Sequence, residues 1–168
     1  MKELLGLYIE DDISNVMVQQ ARFELFEGIR LKGLEVLPDK VEEFYSIVMN
    51  EKIDFLIIDH ELDKQKVSYK GSDALKEIRK YDSTMYAILL TNYPLEDYKE
   101  ELGAYDYQLT KKEMKEQGKI EEVVQKIKRA CELRQDNKML AEMEQRKKEK
   151  DELIDKLKSF TAMGKKGQ

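Results

Sequence analysis

The sequence predicts an α/β fold: a doubly wound sheet of five parallel strands, ordered 2-1-3-4-5, followed by a long C-terminal helix. Three observations carry that prediction. The strongest apolar runs are short and continuous rather than alternating, as strands covered on both faces require. Between them, apolar residues recur three and four apart, which lines one face of a helix. Finally, residues 119–163 contain neither Gly nor Pro and are dominated by strong helix formers.

Taken in order, "LLGLYI" (Leu4–Ile9) is the first strand. Val18, Ala21, Leu25 and Ile29 give the first helix its apolar spacing, and Asp12 in "DDISN" is a good N-cap for it. The weak run "LEVL" (Leu34–Leu37), stopped by Pro38, is the second strand. Val41, Phe44 and Val48 mark the second helix, and "FLIID" (Phe55–Asp59) the third strand. Leu75 and Ile78 lie on the third helix, before the fourth strand "AILLT" (Ala87–Thr91). Leu95, Tyr98 and Leu102 repeat the helical spacing, and "YDYQLT" (Tyr105–Thr110) is a second weak strand. Right-handed crossovers restrict the topology, and both weak strands fall at the edges of the order 2-1-3-4-5.

Ile120, Val123, Val124 and Ile127 form a stripe suited to packing on the sheet. The expected organisation is therefore a sheet domain over 1–127, an extended helix with coiled-coil character over 128–163, and a disordered tail over 164–168. Beyond 127, Leu133, Leu140, Lys147, Ile154 and Thr161 fall seven apart, as do Asp136, Met143, Lys150 and Leu157. Burying each of the apolar ones is worth roughly 1.5–3 kcal/mol, so a partner is expected. A homodimer through this helix is the simplest.

Composition removes several classes. The chain has 168 residues, is 39% charged and carries a net charge of −5. No apolar run approaches the length that crosses a bilayer, so no membrane partner is expected. "MKELLGLYIEDD" is too short in its apolar part for a secretory signal. Cys131 is the single cysteine, which rules out an intrachain disulfide and favours a cytoplasmic home. Residues 1–112 hold 15 basic against 23 acidic side chains, and residues 113–168 hold 15 against 12. The basic half alternates in sign ("EQRKKEKDE"), so no nucleic-acid partner is expected.

The chemistry lies in the acids. In an open parallel sheet, reactive groups gather at the carboxyl ends of the strands. Strand one ends in Glu10, Asp11 and Asp12, and strand three ends in Asp59. Strand four ends in Thr91, and strand five near Lys111 and Lys112. Crowded carboxylates raise one another's pKa unless a cation offsets them, and Mg²⁺ with its preference for oxygen ligands suits that role. A carboxylate nucleophile, Mg²⁺, a Lys and a hydroxyl together make a set for phosphoryl transfer. Asp12 is equally suited to begin the first helix.

These motifs resemble the receiver domain of two-component response regulators. "LYIEDD" is similar to that family's first-strand acidic motif, "DFLIIDHEL" to its phosphoacceptor strand and "GSDALKEIR" to its third helix. "AILLTN" is similar to its fourth strand, and "GAYDYQLTKK" to its fifth. The resemblance covers about residues 1–127. It implies Asp59 as phosphoacceptor, Thr91 as switch hydroxyl and Lys111 as the phosphate-pairing cation. It further implies Glu10, Asp11, Asp59 and the backbone carbonyl of Glu61 as metal ligands. A sensor histidine kinase or phosphotransfer protein would be the donor, and the chain would be a signalling module rather than an enzyme. Three departures stand out: Lys112 follows Lys111 where the family has Pro, Asn92 follows Thr91, and counting from Gly103 puts the Lys position on Thr110, so that the aromatic position is Gln108 if Lys111 is the anchor and Tyr107 if Gly103 is. They leave open a pseudo-receiver, a constitutive binding module on the same fold. A haloacid-dehalogenase-like phosphatase fits less well, because Glu61 stands where its general acid Asp belongs and the other acids lie upstream.

Overall fold

A computed structural model describes residues 2–93 and 105–166, the side chains of Lys165 and Lys166 aside. The strands are β1 (Leu4–Ile9), β2 (Ile29–Gly33), β3 (Phe55–Asp59), β4 (Tyr86–Thr91) and β5 (Tyr107–Thr110). The helices are α1 (Ile13–Phe23), α2 (Glu43–Asn50), α3 (Gly71–Tyr81) and α4 (Gln117–Lys166), with a 3₁₀ turn at Glu113–Lys115. All strand pairs are parallel, in the order β2-β1-β3-β4-β5. The expected topology is the observed one.

Strand alternation divides the core into two layers. On one face, Leu7, Ile9, Leu56, Ile58 and Leu89 pack with Phe44, Val48, Leu75 and Ile78 from α2 and α3. On the other, Tyr8, Phe55, Ile57, Ile88 and Leu90 pack with α1 and with the α4 stripe Ile120, Val123, Val124 and Ile127. Burial on both faces explains why β3 and β4 read as unbroken apolar runs.

Two expectations need correction. The buried face of α1 is Val16, Gln19 and Phe23, whereas Val18 and Leu25 are exposed and Ile29 already belongs to β2. Gly28, at φ +78°, turns the chain into that strand earlier than expected. Consequently β2 is Ile29–Gly33, not Leu34–Leu37. As an edge strand, β2 buries Ile29 and Leu31 but exposes Arg30, so its alternation conceals it among charged neighbours. The helical spacing of Leu95, Tyr98 and Leu102 lies outside the described residues.

The chain divides into two compact units, Met1–Cys131 and Glu132–Gln168. Helix α4 runs through both and continues past 163 to Lys166. A single Gly164 costs a helix about 1 kcal/mol, too little to stop a turn continuous with good formers. Among the described residues no helix is long and apolar enough to cross a membrane.

One close approach fixes the site-bearing end of β3. The Gly71 amide donates to the His60 carbonyl at 3.2 Å, and a Cβ on Gly71 would collide with the carbonyl oxygen of Asp59 and lie 2.6 Å from Ile58 Cγ2. Backbone cannot yield as a flexible side chain can. Gly71→Ala is expected to destabilise the fold by about 1–3 kcal/mol, measured as a lowered urea midpoint at unchanged slope. An unchanged midpoint would mean that α3 shifts freely away from β3.

Candidate functional site: a buried acidic cluster at the sheet edge

The register brings the strand ends together. Ile9 pairs with Ile58, Asp59 with Leu90, and Thr91 with Thr110. Each of these strands therefore leaves the sheet at the same edge, carrying its polar residue there. Glu10, Asp11 and Asp59 are all buried, and each offers a carboxylate oxygen within 4.8 Å of the others.

Each acid is held by its surroundings. Glu10 accepts hydrogen bonds from the Tyr8 hydroxyl at 3.1 Å, the Asp12 amide at 3.0 Å and the Asn15 side chain at 3.4 Å. Asp11 accepts from the Lys64 amide, and its backbone carbonyl accepts from the Gln65 side chain at 3.1 Å. Asp59 Oδ1 accepts from the Glu61 amide at 3.2 Å. Asp12 turns away: it caps α1 through the Ser14 amide and pairs with Lys64 Nζ.

Lys111 supplies the cation. Its Nζ lies 2.8 Å from Asp59 Oδ2, a charge contact that is not aligned as a hydrogen bond. Its backbone amide donates to the Thr91 carbonyl at 2.8 Å, so β4 sets where the Lys begins. Thr110, its neighbour, is committed elsewhere: its amide and hydroxyl exchange hydrogen bonds with Glu113 at 2.9 and 3.1 Å. Of Thr110, Lys111 and Lys112, it is Lys111 that contacts Asp59.

Thr91 is buried beside the cluster, yet among the described residues its hydroxyl does not bond an acid. It donates to the Tyr93 carbonyl at 2.7 Å, and the Gln108 side chain approaches it at 3.5 Å. Gln108, not Tyr107, therefore faces this side; Tyr107 lies under Lys119 and Lys126, with its hydroxyl toward Glu122. Asn92 donates to Glu61 at 2.9 Å, tying the segment after β4 to the segment after β3.

Three contributors escaped the sequence reading. Tyr8 had a signal, since residues two apart on a strand share a face and Tyr8 therefore accompanies Glu10. Lys64 and Gln65 had none, because only the path of the loop brings them to Asp11.

Electrostatics follow from burial. Burial raises the Asp59 carboxyl above its ordinary value, while Lys111 and the Glu61 amide oppose the rise. Burial would lower Lys111, but Asp59 more than reverses this and the ammonium is stabilised. With all three carboxyls ionised, the Lys111 ammonium would leave two negative charges uncompensated, the charge of one divalent cation. The all-oxygen donor set suits a hard ion such as Mg²⁺.

Glu10 is pushed up from 4.5 to about 8, by burial first, then by Asp11 and Asp59, with the Asp12 amide pulling down. A carboxyl raised in the folded state favours the fold while protonated, so its contribution is complete below the unfolded value and is lost as pH rises towards the folded one. Without divalent cations, the urea midpoint is expected to fall between pH about 5 and about 8. Glu10→Gln should flatten that fall. Equal slopes for the two proteins would place the proton elsewhere.

No protein-family model matches the chain, and no curated protein matches its sequence. Solved structures do match its fold. A response regulator receiver domain from Clostridium thermocellum superposes with a TM-score of 0.60 at 20% identity, over 79% of this chain and 97% of that one. The response regulator TrrA of Thermotoga maritima, in complex with Mg²⁺ and BeF, gives 0.58 at 24% identity over 76% and 99%. The receiver domain of a Pseudomonas aeruginosa sensor histidine kinase, with a magnesium ion coordinated in its active-site cleft, gives 0.57 at 20% over 74% and 96%. The sheet domain of this chain therefore has the fold of the response-regulator receiver domains.

Proposed function

We propose that the chain is a phospho-accepting receiver of two-component signalling, with Asp59 as the acceptor. The observation that carries this reading is the contact of Lys111 with Asp59 beside two further buried acids. A sensor histidine kinase or phosphotransfer protein is the donor. An Asp59 oxygen attacks phosphorus, the new P–O bond forms as the donor's P–N bond breaks, and the electron pair leaves with the imidazole.

Glu10, Asp11, Asp59 and the Glu61 carbonyl are the residues that would hold Mg²⁺. Bound there, the ion would supply positive charge against the acids and against charge developing on the phosphoryl oxygens. Lys111 neutralises a phosphoryl oxygen from the opposite side, exchanging its contact with Asp59 for one with the new group. Thr91 is the switch: its hydroxyl leaves the Tyr93 carbonyl to donate to the phosphoryl group. The acceptor is the chain's own side chain, so the protein is a signalling component of the cytoplasm rather than an enzyme. Output passes through protein contacts, including the C-terminal helix, for which a second copy of the chain is the partner.

A second reading is favoured by one observation. Thr91 is already engaged by Tyr93 and approached by Gln108, an arrangement in which a pseudo-receiver would hold one constant shape and bind partners without phosphorylation.

Intact-mass measurement after acetyl phosphate treatment with Mg²⁺ separates the two. Wild type is expected to gain one phosphoryl group, Asp59→Asn none, and Asp11→Asn none together with lost Mg²⁺ affinity. Wild type that binds Mg²⁺ yet gains no mass would establish the pseudo-receiver. A mass gain in Asp59→Asn would remove Asp59 from the acceptor role.

A further inference from the structure

In the second unit, helix α4 leaves a row of large apolar side chains in solvent. Leu133, Met139, Leu140 and Met143 form one group, and Leu153, Ile154, Leu157 and Phe160 another; all are at least 38% exposed. Between them lies "EQRKKEKDE", residues 144–152. With Leu140 and Ile154 at heptad position a, and Met143 and Leu157 at d, both lysines of the seam, Lys147 (a) and Lys150 (d), fall in the middle. The two apolar groups are thus spaced about equally from one centre, between residues 148 and 149.

We infer that the partner of this helix is a second copy of the chain running antiparallel, paired about that centre. The inference deepens the self-pairing stated above and is independent of phosphoryl chemistry. In an antiparallel pair, a faces d of the other helix. Leu140 then meets Leu157 of the second copy, Met143 meets Ile154, and Lys147 meets Lys150. In each of these core layers the two residue numbers sum to 297. A parallel pair would instead set Asp136, Lys147 and Lys150 each against its own copy, making three like-charge layers.

The flanks discriminate more strongly, because e and g positions set helix orientation. Between residues 137 and 160, three of the four g positions are apolar: Met139, Leu153 and Phe160, with Arg146 the exception. The e positions are Asn137, Glu144, Asp151 and Lys158, all polar. Parallel pairing places g beside e. It would satisfy Arg146 with Asp151, but would set Met139 against Glu144 and Leu153 against Lys158. Antiparallel pairing places g beside g and e beside e. One flank then buries Met139 against Phe160 and lays Leu153 along the stem of Arg146. The other flank is wholly polar. At the centre, the four lysines at 147 and 150 face four acids from Glu144 and Asp151, so the like-charge layers are offset locally. Such a two-fold contact is self-complementary and closes on itself.

Full-length Leu140→Cys and Leu157→Cys proteins, each carrying Cys131→Ser, would be oxidised separately and as a mixture. The expected result is a disulfide between the two different variants as the dominant product of the mixture, with little self-linking of either alone. Self-linked Leu140→Cys and self-linked Leu157→Cys, formed in place of the mixed species, would overturn the antiparallel arrangement. Sedimentation of the unsubstituted chain guards against damage by the substitutions: a dimer is expected, and a monomer at high micromolar concentration would overturn self-pairing altogether. Neither result bears on whether Asp59 accepts a phosphoryl group, which the mass measurement decides separately.

Discussion

Three buried carboxyls share one sheet edge with the Lys111 ammonium, and the geometry of the sheet domain is arranged around that crowding. Carboxylates taken out of water repel one another and favour their protonated forms. Glu10 shows the consequence, with a carboxyl pushed up to about 8. Such a cluster persists only because the two-layer core on either side of β1, β3 and β4 leaves those strand ends no alternative position. Burial of the strands that lead to the acids opposes the repulsion between them.

The surrounding segments make the arrangement specific. Lys111 reaches Asp59 because its amide continues the β4–β5 ladder and because the turn after it is pinned. Thr110 and Glu113 cap each other, and Arg22 of α1 donates to the carbonyl of Met114. On the other side, Lys64 and Gln65 draw the segment after β3 back over Asp11, and Gln65 also reaches the Glu35 carbonyl at 3.2 Å. Asn92 and Glu61 join the segments following β4 and β3. Asp59 itself contacts two of these segments, through the Glu61 amide and the Lys111 ammonium.

Helix α4 applies one local rule to two environments. Its residues are good helix formers throughout, so helicity alone does not distinguish its parts. Up to Cys131 the apolar residues form a single dense stripe and are buried against the sheet. Beyond it they form a thinner row interrupted by lysines, and they are exposed. The same backbone thus serves first as part of the domain core and then as a surface whose sequence pattern matches itself in reverse.

The sequence alone determined the sheet, its order, and which acids end its central strands. That is because strands buried on both faces must be continuously apolar, and because right-handed crossovers leave few ways to connect them. It also placed Phe44, Val48, Leu75 and Ile78 on buried helix faces. It misassigned the face of α1 and the position of β2, since an edge strand and a partly buried helix carry polar residues that dilute their periodicity. Only the tertiary structure chose Lys111 over its neighbours, brought Lys64 and Gln65 to Asp11, and turned the Thr91 hydroxyl onto Tyr93. Those choices depend on the paths of loops. A path is fixed by what the segment packs against, and no local pattern of residues records it.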